Sequence, residues 1–192
     1  MSLILFMETD EGLILSGDSR LSSKIDPNWH EDTAEKVFKC NERVGIAYHG
    51  DADIKGEPIE KIIKDFICTV DKDDIIKQIT EKLKEYIKTK GNPETKLYVL
   101  GYEKSERKIY RINTIDASID DLSYSLHGSG GDDDIAWGMI QGNFDVHATN
   151  KKALEFITQI YTETMKFVDK VGGFIDILFI PFDKNPIWIQ HK

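Results

Sequence analysis

The sequence predicts an α+β fold: a four-layer αββα sandwich in which two antiparallel sheets lie between two pairs of helices. Short apolar runs come in hairpin-like pairs near the start, before residue 50 and after residue 95, and single runs close the chain. Stretches with helical apolar spacing separate these groups, so the order is strands, two helices, strands, two helices, strands. Each amphipathic helix face needs a sheet to cover, and two sheets between helix pairs satisfy all of them. With 192 residues and no repeat, long linker or low-complexity tract, residues 1–192 are expected to form one domain. That length buries a core without staples.

The elements follow in order. Apolar runs at 3–7 and 13–15 flank the turn-forming Asp10-Glu11-Gly12 and read as a β-hairpin. The polar stretch 21–35, with Pro27, reads as a loop. Residues 36–39 and 43–48 form a second strand pair around Asn41-Glu42, ended by His49-Gly50-Asp51. In 58–70 the spacing of Ile59, Ile62, Ile63, Phe66 and Ile67 is helical. Asp73 or Asp74 is placed to cap a second helix running to about residue 90, and Gly91-Asn92-Pro93 stops it. Strands at 96–102 and 108–112 come next, joined by a charged turn. A short strand at 123–127 then runs into Gly128-Ser129-Gly130-Gly131. Residues 135–140 predict a short helix and 150–171 a longer one, terminated by Gly172-Gly173. Strands at 174–181 and 187–190 end the chain.

Composition excludes several classes of function. The formal net charge is −9 and no cluster of Lys or Arg stands out, so there is no electrostatic footprint for nucleic acid. Cys40 and Cys68 lie in apolar contexts without CxxC spacing, which predicts buried free thiols in a reducing compartment. The start lacks a basic region, Glu8 and Asp10 break its apolar run, and no run reaches membrane-spanning length. A soluble, cytoplasmic protein without membrane contact is the expectation. Asp132-Asp133-Asp134 reads as a helix N-cap with favourable dipole interactions, so neither a metal nor another cofactor is assigned. There is no GxxxxGK motif followed by Ser or Thr, so any ATPase working with the protein must be a separate chain.

Ser2 stands directly behind Met1. Removal of the methionine would leave a hydroxyl and a free α-amine on one residue. An α-amine with a pKa of about 7.7–8.0 serves as a general base near neutrality. One residue could then be both nucleophile and base. A serine opening a strand is also common without any catalytic purpose. Asp18 ends the second strand of the hairpin, near where the first begins, and places a carboxylate close to Ser2. His49, next to Gly50, invites a Ser–His pairing, but a hydrogen-bonded histidine at a strand end explains it more simply.

Several motifs occur together in register. The segment Gly12-Leu13-Ile14-Leu15-Ser16-Gly17-Asp18-Ser19-Arg20 resembles the start of proteasome β-type subunits, whose strand ends in Ala-Asp-Ser-Arg. Lys36-Val37 followed by 44–50, then Gly128-Ser129-Gly130 and then 172–176 resemble that family's later strands and turns. Counting back from Asp18, the family's catalytic threonine falls on Ser2, behind a single methionine as in the bacterial proteasome-like proteases. The resemblance implies an N-terminal-nucleophile (Ntn) hydrolase fold and a threonine- or serine-type peptidase working on peptide or protein substrates in a self-compartmentalised homo-oligomeric ring. A separate ATPase unfoldase is the partner it implies.

Roles follow from the same resemblance. Ser2 would attack, Lys36 would lower the pKa of the nucleophile and stabilise negative charge, and Asp18 would fix Lys36. The N–H of Gly50 would serve the oxyanion, and Ser129 would complete the hydrogen bonding around the amine. Substrate would meet Leu21, Ser22, Phe38, Tyr48 and Ala52, with Tyr48 making the first side-chain pocket shallow or blocked. The family carries an aspartate and a serine before its last glycine pair, but here Val168 and Val171 occupy those places. Asp169, displaced by one residue, is the remaining candidate. Two alternatives stay open: a non-catalytic structural subunit of the same fold, and an amide hydrolase or acylase on the same scaffold.

Overall fold

A computed structural model describes residues 2–23, 25–26, 28–131, 133–143 and 148–191. Readings that rest on Met1, Pro27 and Asp132 therefore lie outside the described residues. The strands are β1 (Leu3–Thr9), β2 (Gly12–Asp18), β3 (Leu21–Ser22), β4 (His30–Glu31), β5 (Val37–Lys39), β6 (Val44–Gly50), β7 (Asp53–Ile54) and β8 (Glu57–Pro58). Helices α1 (Ile59–Ile67) and α2 (Ile76–Lys90) follow, then β9 (Thr95–Glu103), β10 (Glu106–Asn113), β11 (Ser118–Asp121) and β12 (His127–Gly131). The chain closes with α3 (Asp134–Asn143), α4 (Asn150–Phe167), β13 (Ile175–Pro181) and β14 (Ile187–Gln190).

Two antiparallel sheets dominate, ordered β12-β1-β2-β13-β14 and β11-β10-β9-β6-β5, and two short ribbons pair β3 with β4 and β7 with β8. The unbroken apolar run of β1 has a direct cause, since both of its faces are covered. Leu3, Leu5 and Met7 pack with Ile157, Ile160 and Tyr161 of α4. The alternate residues Ile4 and Phe6 face Ala47, Tyr98 and Leu100 of the other sheet. On the far side, Val44, Ile46 and Tyr48 of β6 pack with Ile62 and Phe66 of α1 and with Ile79 and Leu83 of α2. The layers are therefore helix pair, sheet, sheet and helix pair, as the sequence predicts. Among the described residues no helix is long and apolar enough to cross a membrane.

The hairpin turn is tight: Thr9 pairs with Gly12 across Asp10-Glu11. The Thr9 hydroxyl lies 2.6 Å from Asn150 Oδ1, which ties this turn to the start of α4.

Several boundaries differ from the sequence reading. The second helix is capped neither by Asp73 nor by Asp74; instead Gln78 Oε1 accepts the Ile75 N–H at 3.0 Å. Asp74 is occupied by the Asp71 N–H at 2.9 Å and Lys82 Nζ at 2.7 Å. The strand expected at 123–127 is instead a turn, because Asp121 Oδ1 accepts the Ser123 N–H at 2.8 Å and the Ser123 hydroxyl accepts the Ile109 N–H at 3.0 Å. Pairing resumes at His127 and continues through the glycines. Helix α4 stops at Phe167 rather than at the glycine pair, because Val168 is extended (φ −125°, ψ 96°). Of the two cysteines, Cys40 is buried as expected, but Cys68, just past the end of α1, is exposed.

Candidate active site

The site is built at the ends of strands, where the two sheets open. Asp18 is the last residue of β2 and is buried. A carboxylate in that setting needs donors, and it has four. Leu3 N–H donates to Oδ1 at 2.9 Å and Lys36 Nζ to the same oxygen at 3.1 Å. Gly172 N–H and Arg20 N–H donate to Oδ2 at 3.0 and 3.3 Å. Lys36 Nζ also donates to the Arg20 carbonyl. Burial pushes the Asp18 carboxyl up, opposed by Lys36 and by the Leu3 and Gly172 amides. Burial likewise pushes Lys36 down, opposed chiefly by Asp18. A lysine whose pKa is pushed down gives up its proton more readily than a free one.

Ser2 is itself buried, at 4% exposure, beside Leu3, whose amide is bound to Asp18. Tyr161 of α4 donates its hydroxyl to the Leu3 carbonyl at 3.1 Å and lies 3.3 Å from Ser16 Oγ. The first strand is thereby pinned from the helix side. On the other flank Leu3 pairs with Gly131, where an added Cβ would fall 1.6 Å from the Ser2 carbonyl oxygen. Only glycine allows that approach.

Gly50 closes β6 with φ +119°, and a Cβ there would lie 2.2 Å from the Glu94 carbonyl oxygen. Glycine is required on both counts. Leu21 and Ser22 form the β3 rung next to Arg20, and they and Ala52 are partly exposed. Phe38 and Tyr48 are buried, their rings stacked with centroids 6.3 Å apart.

Two sequence-derived candidates are placed differently from expectation. Ser129 pairs with Leu5, not with the start of β1, and its hydroxyl donates to Asp133 Oδ2 at 2.8 Å. Paired residues share a face, so Ser129 points to the helix side with Leu5 and is directed at Asp133 rather than at the Ser2 amine. Asp169 is exposed, and it is its backbone carbonyl that is used, accepting Arg20 Nη1 at 2.9 Å. Val171, two residues on, is by contrast fully buried among apolar side chains.

The sequence reading missed Arg20, Tyr161 and the Gly172 amide. Arg20 grips Asp32 with Nε to Oδ1 at 2.7 Å and Nη2 to Oδ2 at 2.9 Å. Its guanidinium lies over Gly172, where a Cβ would sit 2.4 Å from Cζ. Ser19 joins the same contact, accepting the Phe174 N–H on Oγ at 2.7 Å. Three segments thus meet around Asp18: the end of β2, the loop before β5 and the loop after α4. The sequence signals for Arg20 are its place beside Asp18 at a strand end and its position closing the Asp-Ser-Arg motif. Tyr161 was hidden among helical core positions.

The αββα sandwich is that of the proteasome-like Ntn hydrolases, and here a buried carboxylate–lysine pair lies against the first residues of its first strand. A family model for the proteasome subunit matches residues 4–180, and the chain belongs to that family. The match begins two residues after Ser2. Among solved structures, a mutant of Anbu (Gly-1) from Hyphomicrobium sp. strain MC1 is similar, with a TM-score of 0.75 over 100% of this chain and 89% of that one. Identity is 12%, so this likeness shows the fold alone. No curated protein matches the chain. At family level the scaffold is that of a proteasome-like peptidase.

Proposed function

We propose that the chain is a proteasome-like peptidase whose nucleophile is Ser2, exposed when Met1 is removed. One observation carries this reading. A single oxygen of Asp18 holds both the Leu3 amide and the Lys36 ammonium, which brings the only lysine buried with Asp18 among the described residues up to the first strand. Ser2 Oγ attacks the peptide carbonyl and its proton passes, through the Ser2 amine or a bridging water, to the leaving amine. Lys36 stabilises the negative charge that develops, and the Gly50 N–H takes the oxyanion. The C–N bond breaks and an ester on Ser2 remains. Water then hydrolyses that ester to a free acid and restores the hydroxyl. In this reading residues 1–192 act as one domain, in a cytoplasmic homo-oligomeric ring that encloses the sites, and a separate ATPase unfolds protein substrates.

A second reading is a structural, non-catalytic subunit. It is favoured by Val168 and Val171 in place of the family's acid and hydroxyl, and by Phe38 and Tyr48, which fill the expected pocket. The same filled pocket, in an active enzyme, restricts cleavage to substrates with a small first side chain, flanked by Leu21, Ser22 and Ala52. Asp169 as a catalytic carboxylate has no support in either reading.

The test is peptide hydrolysis by the untagged protein against Ser2→Ala, with the intact mass of each. Loss of one methionine together with a fall in kcat of about a thousandfold or more in Ser2→Ala is the expected result. Equal activity in the two proteins sinks the nucleophile assignment.

A further inference from the structure

The layer between the sheets is apolar, built from residues such as Ile4, Phe6, Leu15 and Leu178. One polar row crosses it. Asp120 of β11 accepts Arg111 Nε and Nη2 of β10 on Oδ2 at 3.0 and 2.8 Å. Arg111 pairs in register with Tyr98 of β9, so the two side chains stand on the same face of the sheet. Tyr98 Oη lies 3.4 Å from His49 Nε2 of β6, the two rings stacked at 5.8 Å and 28°. The row thus runs strand by strand from a partly exposed carboxylate to a histidine bonded directly to Gly50.

Packing alone does not call for it. A phenylalanine at 98 would keep the ring contact with Phe6, at 6.1 Å, without placing a hydroxyl in an apolar layer. The direction of the hydrogen bonds explains the polar groups. Arg111, its cross-strand neighbour, can only donate, so on that side the Tyr98 oxygen can serve only as an acceptor. That arrangement directs the phenol proton to His49 Nε2, the accepting nitrogen of the Nδ1–H tautomer. Burial pushes His49 down to about 4, so the ring is neutral at physiological pH and can accept. At the far end His49 meets the other sheet. A Cβ on Gly130 would lie 2.3 Å from Tyr98 Oη and 2.8 Å from His49 Nε2. Gly130 pairs with Ile4, and its neighbour Gly131 touches Ser2.

We propose that His49 is a positioning residue. The Asp120–Arg111–Tyr98 row fixes its tautomer and ring plane, and the ring is the spacer that sets the Gly50 amide against Gly130 of β12, whose neighbour Gly131 packs on Ser2. The catalytic consequence rests on the peptidase reading above; the geometric claim stands without it.

The experiment is Tyr98→Phe in the full chain, which removes one oxygen, with His49 followed by ring 15N NMR and peptide hydrolysis measured in parallel. The wild type is expected to hold His49 as the Nδ1–H tautomer, and the variant to move it toward the Nε2–H form that a free histidine side chain prefers. A fall in kcat of about tenfold with KM unchanged is the expected kinetic result, since small misplacements of reacting groups cost that much. Arg111→Gln, at the accessible end of the row, leaves the apolar layer intact and is expected to shift the tautomer in the same direction. An unchanged tautomer in both variants, or unchanged kcat in an active enzyme, overturns the proposal. If the wild type has no Ser2-dependent activity, the peptidase reading fails, and the tautomer comparison still decides the role of His49.

Discussion

The two walls of the candidate site are built on different principles. The wall made by β1, β2 and the start of β5 uses side chains: Asp18 and Lys36, buried and 3.1 Å apart. The wall made by the loop after α4 uses backbone: the Gly172 amide on Asp18 and the Asp169 carbonyl on Arg20. The first needs particular side chains at particular positions and tolerates no substitution. The second needs only a chain path and a clamp to hold it, and here Arg20, forked onto Asp32, is that clamp. Family side chains at 168 and 171 can therefore give way to valine while Asp18 keeps its donors.

Breaking the first wall should have the largest effect. Lys36→Met leaves Asp18 buried without its counter-charge, which costs about 3–5 kcal/mol of stability. In protein that remains folded, kcat should fall by about 10²–10³. Urea unfolding and steady-state hydrolysis measure the two, and a Lys36→Met protein with wild-type stability would contradict the buried pair.

Disturbing the second wall should cost less and act through the clamp. Gly172→Ala drives a methyl into the Arg20 guanidinium, and Arg20→Gln removes the fork. Each is expected to cost about 1–3 kcal/mol, the worth of hydrogen bonds to a charged group. The double variant should be little worse than either single one, because both remove the same contact. Additive losses in urea unfolding would show that the loop does not depend on Arg20.

The smallest effect is on pH dependence. The hydrogen bonds from Arg20 hold the Asp32 carboxyl below its ordinary value of 3.8. A depressed carboxylate pKa stabilises the fold above the ordinary value, and that stability is lost as pH falls through the lowered one. The difference in Tm between wild type and Arg20→Gln should therefore be constant above about pH 5 and shrink below about pH 4. A constant difference down to pH 2 would contradict the fork.

This contrast also explains what the sequence could reveal. Asp18 is legible as a charge at a strand end, whereas Lys36 and Gly50 become site candidates only through the resemblance to proteasome β-type subunits. The layer order was legible because both-face burial leaves unbroken apolar runs such as 3–7, while helices keep one stripe. Boundaries failed where side chains competed for backbone groups, at Asp74, Gln78 and Ser123. The glycine pair at 172–173 is legible as a break after the last helix, but the hydrogen bonds of the 168–174 loop are not, since amides and carbonyls carry no sequence signature. Ser129 enters through the resemblance of Gly128-Ser129-Gly130 to a family turn, and strand register, which a sequence does not state, turns it toward Asp133.

The most direct measurement is to treat the untagged protein with a peptidyl β-lactone, which acylates a reactive hydroxyl, and to locate the adduct by peptide mass mapping. The account predicts one adduct, on Ser2 as the first residue of the chain, and none in Lys36→Met. A retained Met1 with no adduct, or an adduct on another residue, would contradict it.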